Sequence, residues 1–155
     1  NDMWRIMGHI FYGNRNEFVK TEEKTFDKEK IIRFLLQRGI ALYDTACAVR
    51  RLKDNASDKF LEVVQPTDLD LLLRQIPECH TIVTTGEKAT ETICNYFGQT
   101  QMPAVGQYIS FTHRDRPLRL YRMPSSSRAY PMKLEQKAIC YRDMMIQTGL
   151  LRETE

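Results

Sequence analysis

Residues 118–130 read LRLYRMPSSSRAY, and the parsing of this stretch decides the fold. Leu118, Leu120 and the apolar parts of Tyr121 and Met123 are strand formers, and Pro124 has no N–H to give a sheet ladder, so a strand ends at Met123. Three hydroxyls follow, Ser125, Ser126 and Ser127, and then Arg128. Beyond them, residues 132–148 place Leu134, Ala138, Tyr141 and Met145 on one helical face. The serines are therefore expected between a strand and a helix. In open α/β sheets ligands bind beyond the carboxyl ends of the strands, where a helix N-terminus offers unpaired N–H groups and partial positive charge. Small hydroxyl donors and a guanidinium make phosphate the natural anion there. A turn whose serines simply cap the helix is the other reading of the same residues.

Working outward, Tyr108–His113 and residues 118–123 alternate like two strands joined by the RDRP turn, a hairpin at a sheet edge. Upstream of it, HTIVTTG (80–86) is rich in β-branched residues and reads as a strand, and Gly86 opens a turn into a helix through Ala89, Ile93 and Phe97. The TTGEKA turn, with Lys88, lets backbone N–H groups approach a ligand. It has neither the phosphate-loop nor the dinucleotide pattern, which excludes a nucleoside triphosphatase. Pro66 and Thr67 open a helix, TDLDLLLRQI, with Thr67 and Asp70 spaced as a capping-box variant, and Pro77 closes it.

Earlier still, IALYDTA (40–46) is a short apolar run that reads as a buried strand. The sequence ACAVRRLKDNASDKFLEVVQ is ambiguous: a basic loop, then a short helix or strand through Phe60 to Val64. At the start, Met3–Tyr12 spaces Met3, Trp4, Met7, Ile10 and Phe11 on one helical face, with Asn1 or Asp2 as cap and Trp4 turned inward. A polar loop follows. Asp27 then caps a helix carrying Ile31, Ile32, Phe34, Leu35 and Leu36, which Gly39 ends. Alternating strands and helices predict an α/β fold with a parallel or mostly parallel sheet covered on both faces.

The 155 residues, 42% apolar and 28% charged, fit one domain spanning 1–155. No apolar stretch approaches the roughly 18 residues of a membrane span and no signal peptide opens the chain, so an intracellular protein without membrane contact is expected. Cys47, Cys79, Cys94 and Cys140 are scattered, and His9, His80 and His113 lie at no ligand spacing. Reduced thiols and no metal site are expected. The net charge of +3 is weak support for nucleic acid, but its distribution says more. Arg50, Arg51 and Lys53 follow one expected strand while Arg114, Arg116, Arg119, Arg122 and Arg128 crowd another, either as a basic rim for phosphates or as solvated faces. A serine hydrolase pairing one of the three serines with His113 lacks the G-x-S-x-G elbow and an orienting carboxylate in order.

MPSSSRAY resembles the second signature motif of the uracil-DNA glycosylase superfamily, closest to its mismatch-specific thymine/uracil and hypoxanthine-DNA glycosylase branches. NDMWRIMG, GIALYDTA and IVTTGEKA occur in the same order as in that superfamily, so the resemblance covers nearly the whole chain. It implies a three-layer α/β/α sandwich with a short central sheet, and an enzyme that hydrolyses the N-glycosidic bond of uracil, hypoxanthine or thymine flipped out of double-stranded DNA. It implies no cofactor, and a monomer is expected. The family's first strand and first motif, of the type G-x-N-P or G-S-F-P, precede the tryptophan-bearing helix, so a domain lacking its N-terminal strand is expected here.

Carried over residue by residue, the resemblance makes Asn1 a catalytic candidate, with a helix cap as its other role. Ser125, Ser126 and Ser127, with Gly86 and Lys88, would grip phosphates, and Met123 and Pro124 would border the base pocket. Arg128 would stand near the gap left in the duplex, although the family's arginine falls one position later, where this chain has Ala129. Asp44 would orient water or a base edge, against a capping or salt-bridged role. A non-catalytic nucleic-acid or nucleotide-binding member of the same fold is the alternative.

Overall fold

The 108–123 hairpin forms the spine of one of two compact units into which the chain divides: residues 43–123, and residues 1–42 together with 124–155. The structure, a computed structural model, describes residues 1–44, 46–51 and 61–153, with the backbone path alone for 46–51 and 61–66. It is an α/β fold. Among the described residues there are five helices, a three-stranded mixed sheet and two two-stranded antiparallel sheets.

In the unit spanning residues 43–123, β3 (Ala46–Arg51) pairs antiparallel with β4 (Leu61–Pro66), so the described parts of the segment left open by sequence are strands, its residues 52–60 lying outside the described residues. Arg50 and Arg51 thus lie on a strand rather than in a loop, while Lys53 lies outside the described residues. After α3 (Leu69–Gln75) comes β5 (Thr81–Thr85), then α4 (Glu87–Tyr96), β6 (Tyr108–His113) and β7 (Arg116–Met123). The sheet order is β5-β7-β6, with β7 central. β5 runs parallel to β7, with Thr85 opposite Met123, and β6 runs antiparallel to it. The sheet is therefore mixed rather than mostly parallel. A two-residue turn with positive φ at Arg114 (48°) and Asp115 (65°) matches the right-handed strand twist and forces β6 to return antiparallel. Ile93, Cys94 and Phe97 of α4 and Leu73 of α3 bury one face of the sheet against Leu118 and Leu120.

Two expectations fail in this unit for local reasons. Of the run expected as a strand, residues 40–44 form none and residues 41–44 are exposed, Thr45 lies outside the described residues, and Ala46 opens β3; an apolar run becomes a buried strand only where a neighbour supplies a ladder. The cap of α3 is Asp68, whose carboxylate accepts the Leu71 N–H at 3.1 Å. Thr67 instead donates its hydroxyl to the Asp44 carbonyl, and the Asp70 carboxylate is committed elsewhere.

The other unit is built around aromatic rings. α1 (Met3–Tyr12) ends at Gly13 in the left-handed region. The polar segment after it contains a small ladder, β1 (Val19–Lys20) with β2 (Thr25–Phe26), instead of a plain loop. Phe18 drives this: it is buried and stacks against Phe34 of α2 (Lys28–Arg38) with ring centroids 5.0 Å apart, while Trp4 meets it edge-on at 6.4 Å. The buried face of α1 is consequently Ile6, Met7 and Gly8, one step round from the face expected, and Trp4 is only half-buried. Asp27 caps α2 and Gly39 ends it, as its sequence predicts. α5 (Leu134–Gln147) buries Ala138, Tyr141, Met144 and Met145, together with one charged residue, Lys137.

Candidate functional site

Pro124 ends β7 sterically, and the serines then brace their own backbone. Ser125 Oγ accepts the Ser127 N–H and Ser127 Oγ accepts the Ala129 N–H, both at 3.2 Å, two successive turns in which a short hydroxyl satisfies an amide two residues on. A hydroxyl oxygen that accepts in this way keeps its own O–H to donate. Ser125 and Ser127 are half-buried; Ser126 is buried at 4% exposure, so the expected row of three accessible hydroxyls is a pair. Nor do the serines cap α5 or stand on its N-terminus. Residues 128–133 intervene, and the Lys133 N–H is taken by the Gln136 side chain at 3.4 Å.

The turn is held from beneath by its own unit. Tyr141 donates its hydroxyl to the Pro124 carbonyl at 2.8 Å, the Asp2 N–H donates to the Ser126 carbonyl at 2.6 Å, and Lys137 Nζ donates to the Ser127 carbonyl at 2.9 Å. Asp2 shares its carboxylate between two cations: Oδ2 lies 3.6 Å from Lys137 Nζ and Oδ1 accepts from Arg128 Nε at 3.3 Å. The Tyr130 ring lies under the same ammonium at 5.8 Å. Sequence reading missed Lys137, Asp2 and the Tyr141 hydroxyl. One signal was present, since Lys137 is spaced i+3 from Leu134 and i−4 from Tyr141 and so sits on the apolar face of α5.

Asn1 is exposed and its Oδ1 accepts the Met3 N–H at 2.8 Å, which is the capping role. Asp44 exposes its side chain, with its backbone carbonyl pinned by Thr67. Met123 and Pro124 are fully buried, so the two residues expected at the rim of a base pocket present no exposed side-chain surface. In the unit of β5–β7, Gly86 caps α4 with φ 92° and ψ 164°, a conformation open essentially to glycine alone. Its N–H donates to the Met123 carbonyl at 3.0 Å, and Thr90 donates its hydroxyl to the Gly86 carbonyl at 2.7 Å. Lys88 is half-buried in the first turn of α4, beside the exposed Glu87.

The arginines are structural more often than expected. Arg116 donates to the carbonyls of Leu73, Ile76 and Cys79, closing the end of α3. Arg122 Nη1 donates to Pro103, Arg119 lies over the Tyr108 ring at 4.6 Å, and Arg114 pairs with Asp70 at 3.5 Å. Arg116 and Arg122 are thus spent on carbonyls of the fold, while Arg114, Arg119 and Arg128 stay exposed beside their partners. Asp70 also accepts from His113 Nε2 at 2.7 Å and from the Tyr96 hydroxyl at 3.1 Å. That commits the nitrogen a serine hydrolase would need. Cys79, Cys94 and Cys140 are in the thiol form, and burial pushes the Cys94 and Cys140 thiols up. Among the described residues no group of three His, Cys, Asp or Glu could hold a metal ion, and no helix is long and apolar enough to cross a membrane.

Comparisons of the chain with protein-family models, with curated proteins and with solved structures return no match.

Proposed function

We propose that the chain is a DNA base-excision glycosylase, hydrolysing the N-glycosidic bond of a deaminated or mismatched base (uracil, hypoxanthine or thymine) flipped out of duplex DNA. The observation that carries this is the serine turn. Ser125 and Ser127 each accept a backbone N–H, which leaves their O–H groups able to donate, and Arg128 stands beside them with 63% of its side chain exposed. Two hydroxyl donors and a guanidinium suit a phosphate oxygen better than a neutral ligand. Buried carbonyl contacts from Tyr141 and Lys137 make the turn rigid before any ligand arrives.

Glycosidic hydrolysis passes through an oxocarbenium-like transition state, so a glycosylase needs an extruded base, a placed water and stabilisation of the departing base, without a metal. In this proposal Ser125 and Ser127 hold backbone phosphates beside the extruded nucleotide and Arg128 lies toward the gap in the duplex. In the unit of β5–β7 the Gly86 N–H is given to the Met123 carbonyl, which removes it as an amide donor, and Lys88 at the start of α4 keeps its ammonium as a separate phosphate-binding candidate. Asn1, whose Oδ1 is anchored by the Met3 N–H, is the group assigned to water or base in the unit of the serine turn; Asp44, exposed in the other unit, is a separate candidate. The three-layer α/β/α arrangement belongs to the same proposal, of which α3 and α4 against one face of β5-β7-β6 are the described part. The alternative, a non-catalytic nucleic-acid-binding member of this fold, is favoured by one observation: the Asn1 side chain is already engaged as a cap.

Duplexes containing uracil, hypoxanthine or a G·T pair separate the two. Lesion-specific strand breaks after alkali support the glycosylase; binding without breaks supports the binding module; neither binding nor breaks removes both. Ser125→Ala with Ser127→Ala is expected to weaken duplex binding about tenfold, equally for all sequences, since phosphate contacts carry no base information.

A further inference from the structure

We infer that Lys137 is the internal counter-ion of Asp2, and so a positioning residue that keeps Arg128 available to a DNA phosphate at the serine turn. This rests on the assignment of phosphate binding to that turn. Lys137 is 1% exposed, and its Nζ lies 3.6 Å from Asp2 Oδ2 and 2.9 Å from the Ser127 carbonyl. The Asp2 side chain is 14% exposed and gives its other oxygen to Arg128, whose side chain is 63% exposed. One carboxylate thus faces two cations, one fixed in the interior and one reaching into solvent.

The two pairings differ in strength. The Lys137 charge is shielded from water, so its interaction with Asp2 is weakly screened. Arg128 meets Asp2 from solvent, a pairing that solvent and salt weaken and that an arriving phosphate displaces. With the ammonium in place, Asp2 remains neutralised after Arg128 swings out to a ligand. Without it, Arg128 becomes the remaining counter-ion of a nearly buried carboxylate, and leaving would strand that charge. Asp2 would then compete with DNA for the guanidinium. Removing both charges abolishes the competition.

The test uses the full chain and a fluorescein-labelled duplex carrying one G·U pair, with binding measured by anisotropy over a range of KCl concentrations. K137M is expected to bind roughly fivefold more weakly, with a salt slope smaller by about 0.9, the signature of one lost phosphate contact. R128A should match it, and K137M on an R128A background should change nothing further. The double variant D2N/K137M should return to within about twofold of wild type; a scaffold role predicts the reverse, because the double loses more of the network. In the unliganded protein, the Arg128 Nε–Hε proton should exchange more slowly with solvent in K137M than in wild type.

If K137M binds and exchanges like wild type while R128A is weak, the counter-ion role is overturned and the phosphate assignment stands. If Ser125→Ala/Ser127→Ala and R128A both bind like wild type, the phosphate assignment itself fails. Should K137M not fold, D2N carries the test. It must bind at least as tightly as wild type, with an equal or steeper salt slope, and weaker binding overturns the proposal.

Discussion

At position 137 a lysine reads as part of a solvated helix face, because four methylenes and a charge are rarely sealed from water. It is sealed here because its partners come from far away in sequence: the Asp2 carboxylate lies at the start of the chain and the Ser127 carbonyl in the preceding turn. Its spacing from Leu134 and Tyr141 marks the apolar face of the helix, but no local pattern names these partners. Tyr141 is the opposite case, since its place on the apolar face is plain from spacing while its hydroxyl's partner, the Pro124 carbonyl, is not. Burial pushes the phenol well above its ordinary value, so it remains a donor throughout the neutral and mildly alkaline range. Tyr141→Phe leaves the Pro124 carbonyl buried without this donor and is expected to cost about 1–3 kcal/mol at neutral pH. The sign of the pH effect follows from linkage. Above about pH 10 the unfolded tyrosine ionises while the folded one does not, so wild-type stability falls as pH rises past that point. Urea midpoints at neutral and alkaline pH should show the Phe variant less stable at first and less sensitive to alkali afterwards.

Elements were legible where their signals are local. Asp27 and Gly39 bracket α2 as the sequence dictates, the β-branched TIVTT makes β5, and Arg114-Asp115 makes the hairpin turn. Signals that depend on a distant neighbour were not legible. IALYDTA has strand composition but its residues 40–44 form no strand, Thr67 and Asp68 are both cap formers and only packing chose between them, and the β1–β2 ladder depends on Phe18 finding Phe34. The candidate site divides the same way: the serine turn lies where the proline predicts it, whereas its support from Asp2 and Lys137 is tertiary. Gly8 shows the consequence for α1. In an isolated helix Gly→Ala gains about 1 kcal/mol. Here a Cβ on Gly8 would meet the Asn14 carbonyl oxygen at 2.5 Å, and that oxygen belongs to backbone which cannot simply rotate aside. Gly8→Ala is therefore expected to destabilise by about 1–3 kcal/mol, as overpacking does. A urea midpoint higher than that of wild type would show that the 13–17 turn yields instead.

For the molecule as a whole, the response to acid should depend on one carboxylate more than on the net charge of +3. Asp70 ties together the second unit: it takes His113 from β6, Tyr96 from α4 and Arg114 from the hairpin turn, all from its own position in α3. The His113 hydrogen bond first, and then those of Tyr96 and the charge of Arg114, hold its carboxyl below the ordinary range against the opposing effect of burial. A carboxylate with a depressed folded-state value stabilises above its unfolded value, near pH 4, and loses that contribution as pH falls through the folded value. Asp70→Asn is thus expected to cost about 1.5–3 kcal/mol at neutral pH, where hydrogen bonds to a charged acceptor are lost. Going down in pH from about 4, the wild-type urea midpoint should fall more steeply than that of the variant until the two converge. Curves that stay parallel through the whole acid range would assign the acid sensitivity to other carboxylates and reduce the Asp70 cluster to a neutral tether. Convergence would instead identify the junction of α3, α4 and β6 as the place where acid first loosens the sheet.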